Sequence, residues 1–166
     1  RIEFKVIDRK SSIAAPIKVS WQFTGNNGTT SATYPASQTI MTSVDQFADA
    51  EMAERVVVNS KCHRLGVCNA AESLLIHRAV AAQMLPRIAK ALTEHGIEIR
   101  GDEETQKLIK ATPATEEDYG KEFLGPIISC NVVDSLEAAI EHINRYGSKH
   151  TDAIITGDLA AARTFT

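Results

Sequence analysis

The sequence predicts an α/β fold, a three-layer arrangement of a parallel sheet with helices on both faces, preceded by an N-terminal β-hairpin. Three observations carry this expectation. Short apolar runs alternate with stretches of helical periodicity from residue 39 onward. Strands alternating with helices at such spacing pair in parallel through right-handed crossovers, and ligands of such sheets sit beyond the carboxyl ends of the strands. The first 37 residues break the pattern. There "IKVSWQF" puts Ile17, Val19, Trp21 and Phe23 on one face of a strand, and the Asn27-Gly28 pair that follows favours a tight hairpin.

Element by element, "TIMTSV" is the first strand, and "DQFADAEMAERVVVNSK" is a helix with Asp45 as N-cap and Phe47, Met52, Val56 and Val57 among its apolar positions. "SLLIH" is the second strand. It leads into "RAVAAQMLPRIAKALTEHG", a helix ending at Gly96 that Pro86 is expected to kink or split. "IEIRG" is a short strand, "DEETQKLIKA" a helix with an acidic first turn, and "TPATEEDYGKEFLGP" a turn-rich loop. "IISCNVV", "DSLEAAIEHINRYG", "TDAIITG" and "DLAAARTF" then read as strand, helix, strand, helix.

A length of 166 residues suits one domain with a continuous core and is too short for two full enzyme domains. With 43% hydrophobic and 23% charged residues the chain has the composition of a soluble globular protein, which excludes disordered and fibrous classes. A formal charge of -3 supplies no concentrated basic surface, so nucleic acid and anionic membranes are not expected as partners; a small-molecule substrate is. No apolar run approaches the roughly 20 residues that span a bilayer, and "RIEFKVIDRK" lacks a signal-peptide core, so a cytosolic protein is expected. Three cysteines, Cys62, Cys68 and Cys130, cannot all pair with one another and are expected to be reduced. No G-x-G-x-x-G or Walker motif is present, so a nucleotide would need another domain or a less usual site.

The stretch "SKCHRLGVCNAAESLLIH" concentrates the chemistry. A thiol becomes a useful nucleophile when nearby positive charge stabilises the thiolate and the sulfur faces solvent or a pocket. Lys61, His63 and Arg64 all precede Cys68 closely, and Asn69 adds an amide beside it. An inert, buried cysteine in a solvated basic loop accounts for the same residues. A metal site of Cys62, His63 and Cys68 has an unusual spacing and no second ligand pair, so no metal is expected.

"VDQFADAEMAERVVVNSK", "RLGVCNAAESLLIHR", "RGDEETQ", "PATEEDYGKEFLGPI" and "VVDSLEAAIEHINRYGSKHTDAIITGD" together resemble the catalytic half of the gamma-glutamyl phosphate reductases, members of the aldehyde dehydrogenase superfamily. The resemblance runs in one order over about residues 39–166. It implies an aldehyde-dehydrogenase-like catalytic domain with Cys68, in "GVCNAAE", as the catalytic cysteine. It implies NADPH as cofactor, with Glu122 of "EFLGP" on the nicotinamide ribose, where a carboxylate can accept from both hydroxyls. It implies a reaction in proline biosynthesis: glutamyl 5-phosphate is reduced to glutamate 5-semialdehyde through a Cys68 thioester, with the Cys68 backbone N–H as a donor to the developing oxyanion. Asn59, Arg64 and Asn69 are expected to hold the substrate's carboxylate or phosphate, and His150 falls in a matched position suited to proton transfer or substrate binding.

The sequence departs from that family in three ways. Leu65 stands where the family has proline, residues 1–37 match nothing in it, and the nucleotide-binding domain that should precede the catalytic part is not in the chain. The expected organisation is a hairpin segment at 1–37 and, at 38–166, an aldehyde-dehydrogenase-like catalytic domain lacking its nucleotide-binding partner, inactive alone. A face without its neighbour and a hairpin edge both favour a homo-oligomer. A non-catalytic assembly module or a metal-binding regulatory domain keeps the same fold.

Overall fold

Apolar runs long enough for one pass across a sheet become strands, and the computed structural model, which describes residues 39–166, contains six of them. They are β1 (Met41–Val44), β2 (Ser73–His77), β3 (Glu98–Gly101), β4 (Thr112–Pro113), β5 (Ile127–Val133) and β6 (Asp152–Ile155). They form one sheet in the order β4-β3-β5-β2-β1-β6, and every pairing is parallel. The expected hairpin carrying Ile17, Val19, Trp21 and Phe23 lies outside the described residues.

Five α-helices connect or follow these strands: α1 (Ala50–Cys62), α2 (Arg78–Glu94), α3 (Glu103–Leu108), α4 (Leu136–Tyr146) and α5 (Leu159–Phe165). Because successive side chains of a strand point to opposite faces, the central strands feed two layers. Leu74 and Ile76 of β2 join a large core with Val57 of α1 and Leu85, Ile88 and Leu92 of α2. Leu75, between them, packs instead with Val133 and with Ala139 of α4. Each fully buried Leu or Ile contributes about 1.5–3 kcal/mol from removal of apolar area from water.

The strand order explains which helix takes which face. From β1 to β2 to β3 the chain steps one way across the sheet, and from β5 to β6 it steps back. Crossovers of one hand place the helix on opposite faces when the direction reverses, and α4 lies opposite α1 and α2.

Three expectations change. Asp45 is not the cap of α1: it is buried at the end of β1, where its carboxylate accepts from the Thr156 hydroxyl at 2.7 Å and from the Phe47 N–H at 3.3 Å. Asp49 caps the helix by accepting from Met52 N at 2.9 Å, so Phe47 lies ahead of it, 54% exposed. The buried stripe of α1 is Ala53, Val57 and Lys61, each four residues after the last. Pro86 does not split α2, which runs unbroken from Arg78 to Glu94. Pro86 is on the exposed face, as is Ala82, whose carbonyl loses its partner to the missing N–H and can turn to water. The segment read wholly as loop contains the two-residue strand β4 and a 3-10 turn, Glu116–Gly120. Among the described residues no helix is long and apolar enough to cross a membrane.

Candidate active site

Helices that return a chain between parallel strands run antiparallel to them, so α1 ends at the edge of the sheet where β2 begins. Residues 63–71 bridge that short distance as a tight loop. The Ala70 N–H donates to the Val67 carbonyl at 3.0 Å, closing a turn, and the Ala71 N–H donates to the Ser60 carbonyl at 3.0 Å, tying the loop back to α1. Cys68 occupies the tip, exposed. Cys68 thus sits at the amino ends of the strands, not beyond their carboxyl ends, where ligands of such sheets are expected.

The three thiols differ sharply. Cys130 is fully buried on β5, and burial pushes its thiol up to about 12 although the Thr105 hydroxyl lies 3.6 Å from its sulfur. Cys62 is half-buried, and its thiol is raised by burial with the Lys61 ammonium acting the other way. Cys68 is the one of the three open to solvent.

Lys61 does not serve Cys68 as a free cation, contrary to the sequence reading. The buried stripe of α1 carries it inward, where its Nζ meets Glu72 Oε2 at 2.8 Å with both side chains essentially inaccessible. Burial pushes the Glu72 carboxyl up, while the Lys61 ammonium and the backbone of Leu124 and Phe123 oppose the shift. Sequence reasoning missed this pair. Its one signal was a lysine continuing the spacing of Ala53 and Val57.

The other two basic residues of that reading, His63 and Arg64, are both exposed on the same loop as Cys68. Arg64 makes no ion pair with another described residue. Asn69 is exposed beside Cys68, and Asn59 is exposed in the last turn of α1. The structure thus brings Asn59, Arg64, Cys68 and Asn69 onto one short stretch.

Glu122 belongs to the loop before β5, the strand hydrogen-bonded to β2, so its amino end adjoins that of β2. The two loops approach closely: a Cβ at Gly66 would lie 4.0 Å from the Leu124 carbonyl oxygen. Leu124 has a φ of 51°, a left-handed conformation unusual for a side-chain-bearing residue, and its N–H donates to Glu72 Oε1 at 3.3 Å. Glu122 itself is half-buried.

His150 precedes β6, two strands from β2, about 10 Å along the same edge at the usual strand spacing. It is exposed, with its Nδ1 3.1 Å from the Thr151 hydroxyl, and is not brought against Cys68 by any contact within the loop. Ser148 and Thr39 knit this part of the edge together, the Ser148 hydroxyl donating to the Thr39 carbonyl and the Thr39 hydroxyl to the Gly120 carbonyl, each at 3.0 Å. Below them His142 of α4 is buried with its Nδ1 3.2 Å from the Asn131 amide and its ring edge-on to Tyr119 at 5.1 Å. Burial lowers His142 to about 4.

Two shallow cavities lie elsewhere, one lined by Asp45, Phe47, His77, Ser135 and Asp158 at the carboxyl edge and one between α2 and α3. Cys68 is exposed and lines neither of them. Among the described residues no group of three or more His, Cys, Asp or Glu is arranged to hold a metal ion.

An all-parallel sheet of this strand order makes the described residues an α/β segment, and its superpositions are on proteins of aldehyde-dehydrogenase-like fold. A propionaldehyde dehydrogenase from Clostridium phytofermentans superposes on 78% of the chain with a TM-score of 0.58 at 15% identity, a likeness of fold alone, using 38% of its own length. The gamma-glutamyl phosphate reductase of Thermotoga maritima superposes with a TM-score of 0.76 at 39% identity, over 78% of this chain and 31% of that one. The gamma-glutamyl phosphate reductase of Rhodopirellula baltica is 56% identical over 124 residues, 74% of this chain and 29% of the relative. No family model matches the chain. The chain is related to the gamma-glutamyl phosphate reductases and spans under a third of the length of the curated relatives it matches.

Proposed function

We propose that residues 39–166 carry the nucleophile of a gamma-glutamyl phosphate reductase, the observation behind this reading being that Cys68 alone of the three thiols is open to solvent, at the tip of a turn. The Cys68 thiolate attacks the acyl carbon of glutamyl 5-phosphate. The carbon–oxygen bond to phosphate breaks and phosphate leaves with the electron pair, so one hard displacement becomes an acyl transfer followed by a reduction. Arg64, planar and bidentate, suits the phosphate or the α-carboxylate, and Asn59 and Asn69 add neutral donors. The Cys68 N–H would donate to the oxyanion.

Glu122 would hold the nicotinamide ribose, and NADPH, when bound, supplies the hydride that reduces the thioester carbon. Collapse then breaks the carbon–sulfur bond, returns the electron pair to Cys68 and frees the aldehyde. His150, farther along the edge, is assigned to the distal end of the substrate rather than to the reacting carbon. A partner domain is needed for the adenosine and phosphates of the cofactor, so this chain alone should bind NADPH weakly or not at all; calorimetric titration showing micromolar binding would reveal a nucleotide site within it.

The test is acyl transfer itself. The chain exposed to an acyl phosphate and mapped by mass spectrometry should carry the acyl group on Cys68, releasable by hydroxylamine. A folded protein that is acylated on Cys62 and not on Cys68, or on neither, overturns the reading.

A further inference from the structure

Glu72 sits where three segments meet. Its Oε2 takes Lys61 Nζ at 2.8 Å from the last turn of α1, and its Oε1 takes the Leu124 N–H at 3.3 Å from the loop that carries Glu122. Its own N–H donates to the Ile40 carbonyl at 2.9 Å, and its carbonyl accepts from Ser129 N at 3.0 Å, so the residue is woven into β1 and β5 as well. The Cys68 loop is therefore bracketed by the two members of one buried ion pair, Lys61 at its start and Glu72 at its finish.

Stability alone is a poor explanation for such a pair. Two charges buried at 0% and 1% exposure lose much of their hydration, and an apolar pair of similar volume often packs as well or better. A leucine at position 72, however, has nothing to offer the Leu124 N–H, and no side chain but an acceptor of this length spans from the α1 end to that loop. Leu124 holds a left-handed conformation, which surroundings must impose.

We propose that the Lys61–Glu72 pair is a positioning device that couples the Cys68 loop to the Glu122 loop and holds the two in one fixed relation. The roles of Cys68 and Glu122 rest on the catalytic reading above; the mechanical coupling does not. Neither Lys61 nor Glu72 touches substrate. Lys61 fixes the carboxylate, and the carboxylate fixes the neighbouring loop, so that a displacement of one loop is passed to the other.

The decisive variant is the double substitution Lys61→Met with Glu72→Leu, which leaves the local net charge unchanged and removes the acceptor. It should unfold within a few degrees of the parent, because an apolar pair replaces the ionic one. In it the Leu124 amide should exchange with solvent at least about tenfold faster, and the rate of Cys68 alkylation by iodoacetamide should change by about fivefold or more. Parental exchange and parental alkylation in a folded double variant would overturn the proposal.

Should that variant fail to fold, the unaltered chain decides. Native-state exchange with increasing denaturant should open Ala71 and Leu124 as one unit, with a common free energy and slope. Separate openings of the two amides sink the coupling. A chain whose amides open together but whose Cys68 takes no acyl group keeps the coupling and loses the catalytic reading, so the two failures are told apart.

Discussion

At the carboxyl edge of the sheet helices begin, and at the amino edge they end. At the first, Asp49, His77, Asp102, Ser135 and Asp158 each turn a side-chain acceptor onto the opening N–H groups of their own helix. Asp45 adds a buried link from β1 to Thr156 after β6. The positive helix ends that could have drawn an anion are thereby occupied by local acceptors. At the amino edge the helix ends are carbonyl ends, which repel anions, and the loops are tied to one another as well as within themselves. A thiolate or phosphate there depends on discrete side chains such as Arg64. The difference teaches that in this fold the carboxyl edge is closed by local acceptors, while the amino edge keeps Arg64, Cys68 and Asn69 exposed.

The sharpest way to break this contrast is to unpair the amino edge from within. Glu72→Leu alone strands the Lys61 ammonium in the core and should cost about 3–5 kcal/mol in urea denaturation, because an unmatched buried charge loses its solvation without return. A loss under about 1 kcal/mol would mean that the pair is not buried as described.

A second measurement reads the layer beneath. His142 is lowered from 6.5 to about 4 by burial, so between those values the unfolded chain binds a proton that the folded one refuses. Its contribution is complete above 6.5 and is lost as pH falls toward 4, a change on the order of 3 kcal/mol. NMR titration of the His142 ring should give a midpoint well below 6; a midpoint near 6.5 contradicts the buried placement.

At the carboxyl edge, Asp49→Ala should cost about 1 kcal/mol by uncapping α1, with no effect on Cys68 alkylation. The smallest effect on stability belongs to the proposed nucleophile. Cys68→Ser, at an exposed turn, should shift stability by less than about 0.5 kcal/mol while abolishing acyl transfer. If the two variants exchanged these signatures, the division between the edges would fail.

Much of this architecture was legible because period-2 and period-3.6 patterns follow directly from backbone geometry, and Leu74, Leu75 and Ile76 could be assigned to a buried strand without any partner being known. The cap of α1 was misread because Asp45 and Asp49 both offer an acceptor ahead of the same apolar run, and only the strand end, which needs Asp45 for Thr156, separates them. Pro86 was over-read, since an exposed position lets water take the freed carbonyl. For the site, Cys68 and its neighbours were visible as a motif. Lys61 was visible too, but its direction was not: a lysine on a loop-facing helix end is expected to snorkel outward, and only a carboxylate eleven residues on turns it inward. His142 gave no signal, its burial arising from Tyr119 and Asn131 on other elements.

The position of β5 between β2 and β3 has a consequence for how the molecule is assembled in time. β1, α1 and β2 can pair as soon as they exist, so the loop with Cys68 is outlined early. The contact that completes it joins residues 57 apart in sequence, Ser129 and Glu72, and the link from Asp45 to Thr156 spans 111. Closing such long loops is slow, because chain entropy is lost before the distant contacts repay it. Until β5 slides into its slot, the edge of β2 is unpaired and the Leu124 loop has nowhere to dock. During synthesis the thiol is therefore made before its partner loop, and until β5 arrives the open flank of β2 is the point at which other strands can intrude.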